Sequence, residues 1–143
     1  MNSRPYPTWI TVCGLIISAT ALAQDGKNAR RECSLGHTAA ETTACLEQKV
    51  ESTNAMVRIA ELRARSQVAS QTREENSNRE EIATLDWSMS EFLRFRTSRC
   101  AMVSRLAMGH DAARNVRLGC VIELNLDRVE QLNAIHPIRT SGE

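Results

Sequence analysis

Apolar positions recur along the chain at spacings of three and four, and a polar stretch over residues 71–77 divides the pattern. The first series consists of Leu46, Val50, Thr53, Val57, Ala60, Ala64 and Val68. The second series consists of Ile82, Leu85, Met89, Phe92, Arg96, Val103 and Leu106, with one step of seven, and the third of Val116, Cys120, Leu124, Arg128 and Leu132. Arginine occupies one position in each of these two series. Such spacings place side chains on one face of a helix, so the pattern predicts three helices.

Polar residues and one glycine indicate where these helices begin and end. The sequences Thr-Ala-Ala-Glu at 38–41 and Ser-Asn-Arg-Glu at 77–80 each fit a capping box, in which a hydroxyl and a carboxylate bind backbone amides. Gly109 is a candidate C-cap of the second helix, and Asp111 a candidate N-cap of the third. The second capping box favours a break at residues 71–77, and one continuous rod is the alternative.

The composition supports an all-α fold. Residues 38–135 contain no proline, and good helix formers dominate them. Short connections make neighbouring helices antiparallel. We therefore expect an antiparallel three-helix bundle, with two long helices and a shorter third, over residues 38–135. An extended segment over residues 24–37 should precede it, and a disordered tail over residues 136–143 should follow.

The first 23 residues have the organisation of a secretory signal peptide. A polar start is followed by an almost wholly apolar run over residues 9–17, and Ala21-Leu22-Ala23 provides a small-x-small cleavage pattern. A membrane anchor is the alternative, but the run is shorter than the roughly 20 apolar residues that span a bilayer. Cys13 lies inside the run, which disfavours a lipoprotein. We predict cleavage after Ala23, no stable membrane span afterwards, and a periplasmic or secreted location.

Four cysteines remain after cleavage: Cys33, Cys45, Cys100 and Cys120. An even number in an exported protein indicates two disulfides, with three possible connectivities. Cys100 and Cys120 lie nine residues before and eleven after Gly109. At about 1.5 Å per residue they are nearly level across a helical hairpin. We therefore favour Cys100–Cys120, with Cys33–Cys45 fastening the preceding segment to the first helix. The chain has no Cys-x-x-Cys motif, so the bridges should stabilise the fold, by about 2–4 kcal/mol each, rather than do redox chemistry.

The charge balance disfavours nucleic acid as a partner. Residues 24–143 carry 17 basic and 17 acidic side chains, whereas a nucleic-acid binder is usually strongly basic. The charges are unevenly placed, with 9 basic and 12 acidic side chains in residues 24–91 and 8 and 5 in residues 92–143. The arginines of the second part form either a basic face for an anionic partner or a solvated helix surface with intrahelical pairs, which is the favoured interpretation.

Residues for catalysis or metal binding are not grouped in the sequence. Cys33 and His37 are four apart, but a zinc site normally needs four converging ligands. The paired carboxylates at residues 74–75 and 80–81 lie in or beside the polar stretch, without the desolvated cleft that acid–base catalysis needs. No nucleophile elbow or phosphate-binding glycine loop is present. We expect no enzyme activity, no cofactor and no metal.

The stretch from residue 88 onward carries a family resemblance. The residues Phe92-Leu93-Arg94-Phe95-Arg96-Thr97-Ser98-Arg99-Cys100 are followed by Cys120-Val121-Ile122-Glu123-Leu124-Asn125-Leu126-Asp127-Arg128 and Leu132. This resembles the LprI-type lysozyme-inhibitor family of exported, four-cysteine helical proteins, best over residues 88–132. Phe92 stands where the family usually has Trp, and Thr97 and Asn125 stand where it has Asp and Thr. The family's Asp-x-x-Leu-Asn-x-x-Tyr signature is absent.

The resemblance implies packing roles for one set of side chains: Phe92, Arg96, Leu124, Arg128 and Leu132. Of these, Phe92, Leu124 and Leu132 would build the hairpin seam together with Cys100, and Arg96 and Asp127 could form an ion pair near it.

The resemblance also implies a function. It predicts an exported protein that binds and blocks a lysozyme or a related cell-wall hydrolase. Because many lysozymes are basic, the acidic residues 24–91 would supply a complementary surface. A non-inhibitory envelope interaction or scaffold protein is the alternative. A membrane-surface helix over residues 92–107 is less consistent with the predicted Cys100 bridge.

Overall fold

The computed structural model describes residues 25–35, 37–71 and 75–135, and its regular structure is entirely α-helical in these ranges. The helices are α1 (Asp25–Ser34), α2 (Ala39–Gln71), α3 (Glu75–Arg105) and α4 (His110–Asn133). The all-α prediction is confirmed, but four helices are present where three were expected. The predicted signal peptide over residues 1–23 and the predicted tail over residues 136–143 lie outside the described residues.

The additional helix, α1, corrects the prediction of an extended segment over residues 24–37. Its apolar content is small, and Ala29 and Cys33 form the buried face, packed against α2 and α4. A helix of ten residues is marginal by itself, so these contacts with the other helices hold it. Gly119 on α4 allows α1 to approach closely, because a Cβ atom there would collide with the Arg30 side chain.

The predicted start of α2 is confirmed, whereas the predicted starts of α3 and α4 are wrong by a few residues. The Thr38 amide donates to Glu41 Oε2 over 2.8 Å, and the Glu41 amide donates to Thr38 Oγ1 over 3.3 Å, which is a complete capping box. Helix α3 begins at Glu75, so the second predicted capping box lies inside it. Helix α4 has Gly109 as its N-cap at a φ of 89°, and Asp111 lies in its first turn.

Helices α2 and α3 are separate, as the preferred interpretation of the polar stretch predicts. Helix α2 ends at Gln71 and α3 begins at Glu75. The Arg65 guanidinium forms an ion pair with Asp86. In a continuous rod these two residues would lie roughly 30 Å apart. The ion pair therefore excludes the rod.

The buried side chains form two apolar clusters with a polar layer between them. The first cluster contains Ala29, Cys33, Leu46 and Ile122, and the second contains Ala60, Ala64, Leu85 and Leu132. Thr53 and Asn125, both buried, lie between the clusters along α2 and α4. We call Thr53, Asn54, Arg96 and Asn125 the polar layer.

Both disulfides lie on the side of the polar layer that holds the first cluster. The Cα atoms are 5.7 Å apart in the Cys33–Cys45 pair and 5.5 Å apart in the Cys100–Cys120 pair. These are the two pairs that helical geometry favoured. The first bridge joins α1 to α2, and the second joins α3 to α4. In the described ranges, no helix has an apolar stretch long enough to cross a membrane.

Candidate functional site

Asn125 is the centre of the polar layer. Its side chain is fully buried, and its amide nitrogen donates to Thr53 Oγ1 and to Asn54 Oδ1, each over 3.0 Å. Its amide oxygen accepts a hydrogen bond of 2.5 Å from Arg96 Nη1, which also donates to Asn54 over 2.9 Å. One side chain thus connects α2, α3 and α4.

Two arginines share the ring of Phe92 beside this layer. The guanidinium carbons of Arg96 and Arg128 lie 5.6 Å and 5.4 Å from the ring centroid, within the range of a cation–π interaction. Arg128 also donates to Ser88 Oγ over 3.0 Å. We call Phe92, Arg96 and Arg128 the Arg–Phe–Arg stack. It brings together three of the five side chains for which the resemblance implies packing roles.

Burial lowers the pKa of both arginines in this stack, because desolvation disfavours a charged group. The charge of Glu61 partly offsets that effect for Arg128. Arginine stays charged in proteins, so the hydrogen bonds and the ring must compensate the lost hydration. Arg128 Nε is buried and has no hydrogen-bond partner among the described residues. Among the described residues, the stack therefore holds two partly desolvated cations with no directly bonded carboxylate, which costs free energy.

The expected ion pair between Arg96 and Asp127 is not formed. Arg96 binds Asn54 and Asn125 instead, because Asn125 and Asp127 are two residues apart and point to different sides of α4. Asp127 lines a groove between α1, α3 and α4 with a volume of about 210 Å³. Desolvation raises the pKa of its carboxyl group.

This groove, which we call the α4 groove, is lined by apolar side chains and by side chains of both charges. Its apolar side chains include Val103, Val116 and Leu124, so Leu124 lies here rather than in the stack. The charged side chains around it are Arg30, Arg99, Glu123 and Asp127. Leu132 packs in the second apolar cluster. The five residues implied by the resemblance therefore occupy three separate places.

Large apolar side chains are exposed on α3 beside the α4 groove. Phe95, Met102 and Leu106 follow at spacings of seven and four, which places them on one face. Their exposed fractions are 54%, 50% and 80%, and Trp87, two turns before Phe95, is 66% exposed. We call Trp87, Phe95, Met102 and Leu106 the α3 outer face. The apolar pattern alone did not identify it, since such residues are expected in a core.

The acidic side chains of α1 and α2 are mostly engaged within the molecule. Glu32 pairs with Lys49, Glu47 with Arg114, and Glu61 with Arg65. Glu41 binds Thr38 in the capping box, which lowers the pKa of Glu41. Among the described side chains of α1 and α2, these contacts leave few free carboxylates for a partner.

The described residues offer no metal site. In these ranges, no three His, Cys, Asp or Glu side chains converge in a way that could hold an ion. The charged side chains that line the α4 groove with Asp127 are Arg30, Arg99 and Glu123, and the cysteine that lines it, Cys120, is held in a disulfide.

The comparisons with known proteins identify the family. No curated protein and no solved structure matches the chain significantly. A family model described as lysozyme inhibitor LprI matches residues 31–132, a range that holds all four disulfide cysteines and the polar layer. The match covers more than half of the chain, and the chain belongs to the LprI lysozyme inhibitor family.

Proposed function

We propose that the protein is a non-catalytic inhibitor that binds a lysozyme or a related cell-wall hydrolase and blocks it. Family membership over residues 31–132 is the observation that carries this proposal. The two disulfides support a place outside the cytoplasm, where thiols are oxidised. Removal of residues 1–23 as a signal peptide and a periplasmic or secreted location are part of the same proposal.

The scaffold we propose is an antiparallel arrangement of α2, α3 and α4 with α1 laid against it. Contacts between α3 and α4 support it, because Arg96 meets Asn125 while Ser88 meets Arg128. These two contacts support opposite chain directions for α3 and α4. Helices α2 and α4 have the same chain direction, because Thr43 contacts Asn115 and Thr53 contacts Asn125.

A binding role also agrees with the distribution of apolar side chains. The fold has a thin core built largely from alanine, leucine and cysteine, yet it leaves two aromatic side chains, Trp87 and Phe95, in solvent. Aromatic, Met and Arg side chains are enriched in protein–protein interfaces. A protein partner that covers them accounts for their exposure.

The test is a cell-wall lysis assay with the oxidised protein beginning at Gln24. Lysozymes of several structural classes are mixed with the protein, and the fall in turbidity of a peptidoglycan suspension is followed. We expect slower lysis at micromolar excess, with saturation that gives an inhibition constant. The same protein, reduced and alkylated at its four cysteines, serves as the control.

The alternative of a non-inhibitory envelope scaffold gives a different result. If the oxidised protein leaves lysis unchanged for every lysozyme tested, and calorimetry shows no binding, the inhibitor proposal is wrong. A search for envelope partners would then follow.

A further inference from the structure

We infer that the α3 outer face is the surface that contacts the hydrolase, and that Arg99 and Arg105 beside it bind carboxylates of the enzyme's substrate cleft. This inference rests on the proposed function and adds to it the contact surface and its chemistry. The exposure, the charge and the rigidity of α3 support it.

The exposure of aromatic side chains is the first argument. Residues 25–135 contain three aromatic residues, of which only Phe92 is partly buried, while Trp87 and Phe95 are exposed. A small fold that needs apolar burial gains nothing from these two in the free state. Interface hot spots are enriched in Trp, Tyr and Arg near the centre of the contact. From Phe95 to Leu106 the face extends over about 16 Å, long enough to lie along a cleft.

The charge of the same segment is the second argument. Residues 92–107 contain four arginines and no acidic residue. Arg96 belongs to the polar layer, and Arg94 pairs with Glu91 over 3.0 Å. Arg99 and Arg105 are exposed, and neither forms an ion pair in the part of the chain that the structure describes, although Arg99 also lines the α4 groove with Glu123 and Asp127. They follow Phe95 by four residues and Met102 by three, so they lie beside the apolar side chains.

The chemistry of the partner explains this combination. Most glycoside hydrolases carry two carboxyl groups on either side of the bond that they cleave. A guanidinium binds a carboxylate with two parallel hydrogen bonds. This interaction is stronger where water is excluded. An arginine seated among apolar side chains is therefore suited to a carboxylate-bearing cleft. A basic enzyme surface outside the cleft would instead require free acidic side chains, which are few among the described side chains of α1 and α2.

Rigidity is the third argument. Cys100 lies between Phe95 and Met102 along α3, and its bridge to Cys120 fixes this segment to α4. The Arg–Phe–Arg stack holds the preceding turns from inside. A surface that is already ordered loses less conformational entropy on binding. The exposed aliphatic side chains of α2, Met56, Ile59 and Leu62, have no aromatic residue and no bridge within their segment.

The experiment compares two matched pairs of exposed positions in the lysis assay. Phe95→Ala and Arg99→Glu change the α3 outer face and its border, and Leu62→Ala and Arg63→Glu make the corresponding apolar truncation and charge reversal on α2. All four are surface positions, and circular dichroism with urea unfolding checks each fold. We expect both α3 variants to raise the inhibition constant at least tenfold, and both α2 variants to change it less than twofold.

A competition experiment tests the cleft itself. Binding of the wild-type protein to lysozyme is measured by calorimetry with and without a saturating N-acetylglucosamine trimer, which occupies the cleft. We expect the trimer to weaken binding at least tenfold. Unchanged binding in its presence overturns the cleft assignment.

The possible failures are distinguishable. Inhibition by the wild type that all four variants retain overturns this inference and leaves the proposed function intact. Absence of inhibition by the wild type overturns both. The last part of the experiment measures binding of the wild type and the variants to vesicles that contain anionic phosphatidylglycerol. Vesicle binding that the α3 variants lose, while their inhibition stays intact, assigns the face to a lipid surface and overturns the inference.

Discussion

Replacing Asn125 by leucine tests whether the polar layer stabilises the fold. Leucine has the same branched shape as asparagine and is somewhat larger, so the change removes hydrogen bonds without opening a cavity. Asn125 makes two hydrogen bonds to neutral groups of α2 and one to the charged Arg96. At about 1 kcal/mol for each neutral bond and roughly 2 kcal/mol for the charged one, the loss should be about 4 kcal/mol. That is a large fraction of the 5–15 kcal/mol that typically stabilises a domain of this kind.

The measurement is urea unfolding of the oxidised protein, followed by circular dichroism at 222 nm. With a denaturant slope of about 2 kcal/mol/M, the midpoint should fall by about 2 M. Asn133→Leu, at an exposed position of the same helix, is the matched control and should change the midpoint little. A loss of less than about 1 kcal/mol in Asn125→Leu would refute the reasoning.

A double variant separates the hydrogen bonds from the buried charge. Asn125→Leu leaves the Arg96 guanidinium with Asn54 as its one remaining acceptor. Adding Arg96→Met removes that charge, and an apolar side chain of similar length takes its place. Because removing one partner of a buried charge costs more than replacing both, the double variant should recover roughly half of the lost stability. If the double variant loses more free energy of unfolding than the two single variants lose together, this account is contradicted.

Three further changes have defined outcomes. Replacing Cys100 and Cys120 together by alanine should lower stability by about 3 kcal/mol, since their bridge closes a loop of about 20 residues, as urea unfolding would show. Thr38→Ala should cost about 1 kcal/mol at pH 7 through loss of the N-cap. In the wild type the pKa of Glu41 is lowered, so its ionised form stabilises the fold above the pKa of the unfolded chain, and the effect is lost as pH falls through the folded value. NMR titration should find a higher pKa for Glu41 in the variant. Burial raises the pKa of Asp127, so its ionisation disfavours folding as pH rises through that value, and Asp127→Asn should be more stable than the wild type at pH 7 and equal to it near pH 3.

Local sequence signals predicted a large part of the fold. The stripe through α2 is confirmed by the burial of Leu46, Val57, Ala60 and Ala64, because helical periodicity alone determines which residues share a face. The capping box at residues 38–41 is likewise local. Helix α1 was not predictable in this way, because two buried side chains are too few to give a period. Its packing against α2 and α4 stabilises it.

The polar layer was harder to predict than the apolar core. Asn125 belongs to a stripe of residues at spacings of three and four: Leu118, Ile122, Asn125, Val129 and Leu132. A polar residue within such a stripe is a signal of a buried hydrogen-bond network, but the sequence does not show its partners. Arg96 and Asp127 illustrate the difficulty. Their opposite charges favour an ion pair. Asp127 follows Asn125 by two residues, however, so its side chain lies on another side of α4 from the one that faces Arg96.

Exposure on α3 could not be read from the pattern at all. Phe95 and Leu106 look like core residues by type, and Leu106 belongs to the apolar series that predicts α3. Which face of α3 meets α4 depends on the register of the Cys100–Cys120 bridge and of Arg96 on Asn125. Those are contacts between distant parts of the chain.

The disulfides have a topological consequence. Each bridge closes within one pair of successive helices, and neither crosses the connection between α2 and α3. Covalently, the molecule therefore consists of two stapled halves, one ending at Gln71 and the other beginning at Glu75. A single proteolytic cut between those residues would leave fragments that separate on a non-reducing gel, whereas a cut between α3 and α4 would not. The two halves should be suited to fragment complementation, in which separately produced pieces reassemble through the polar layer and the two apolar clusters.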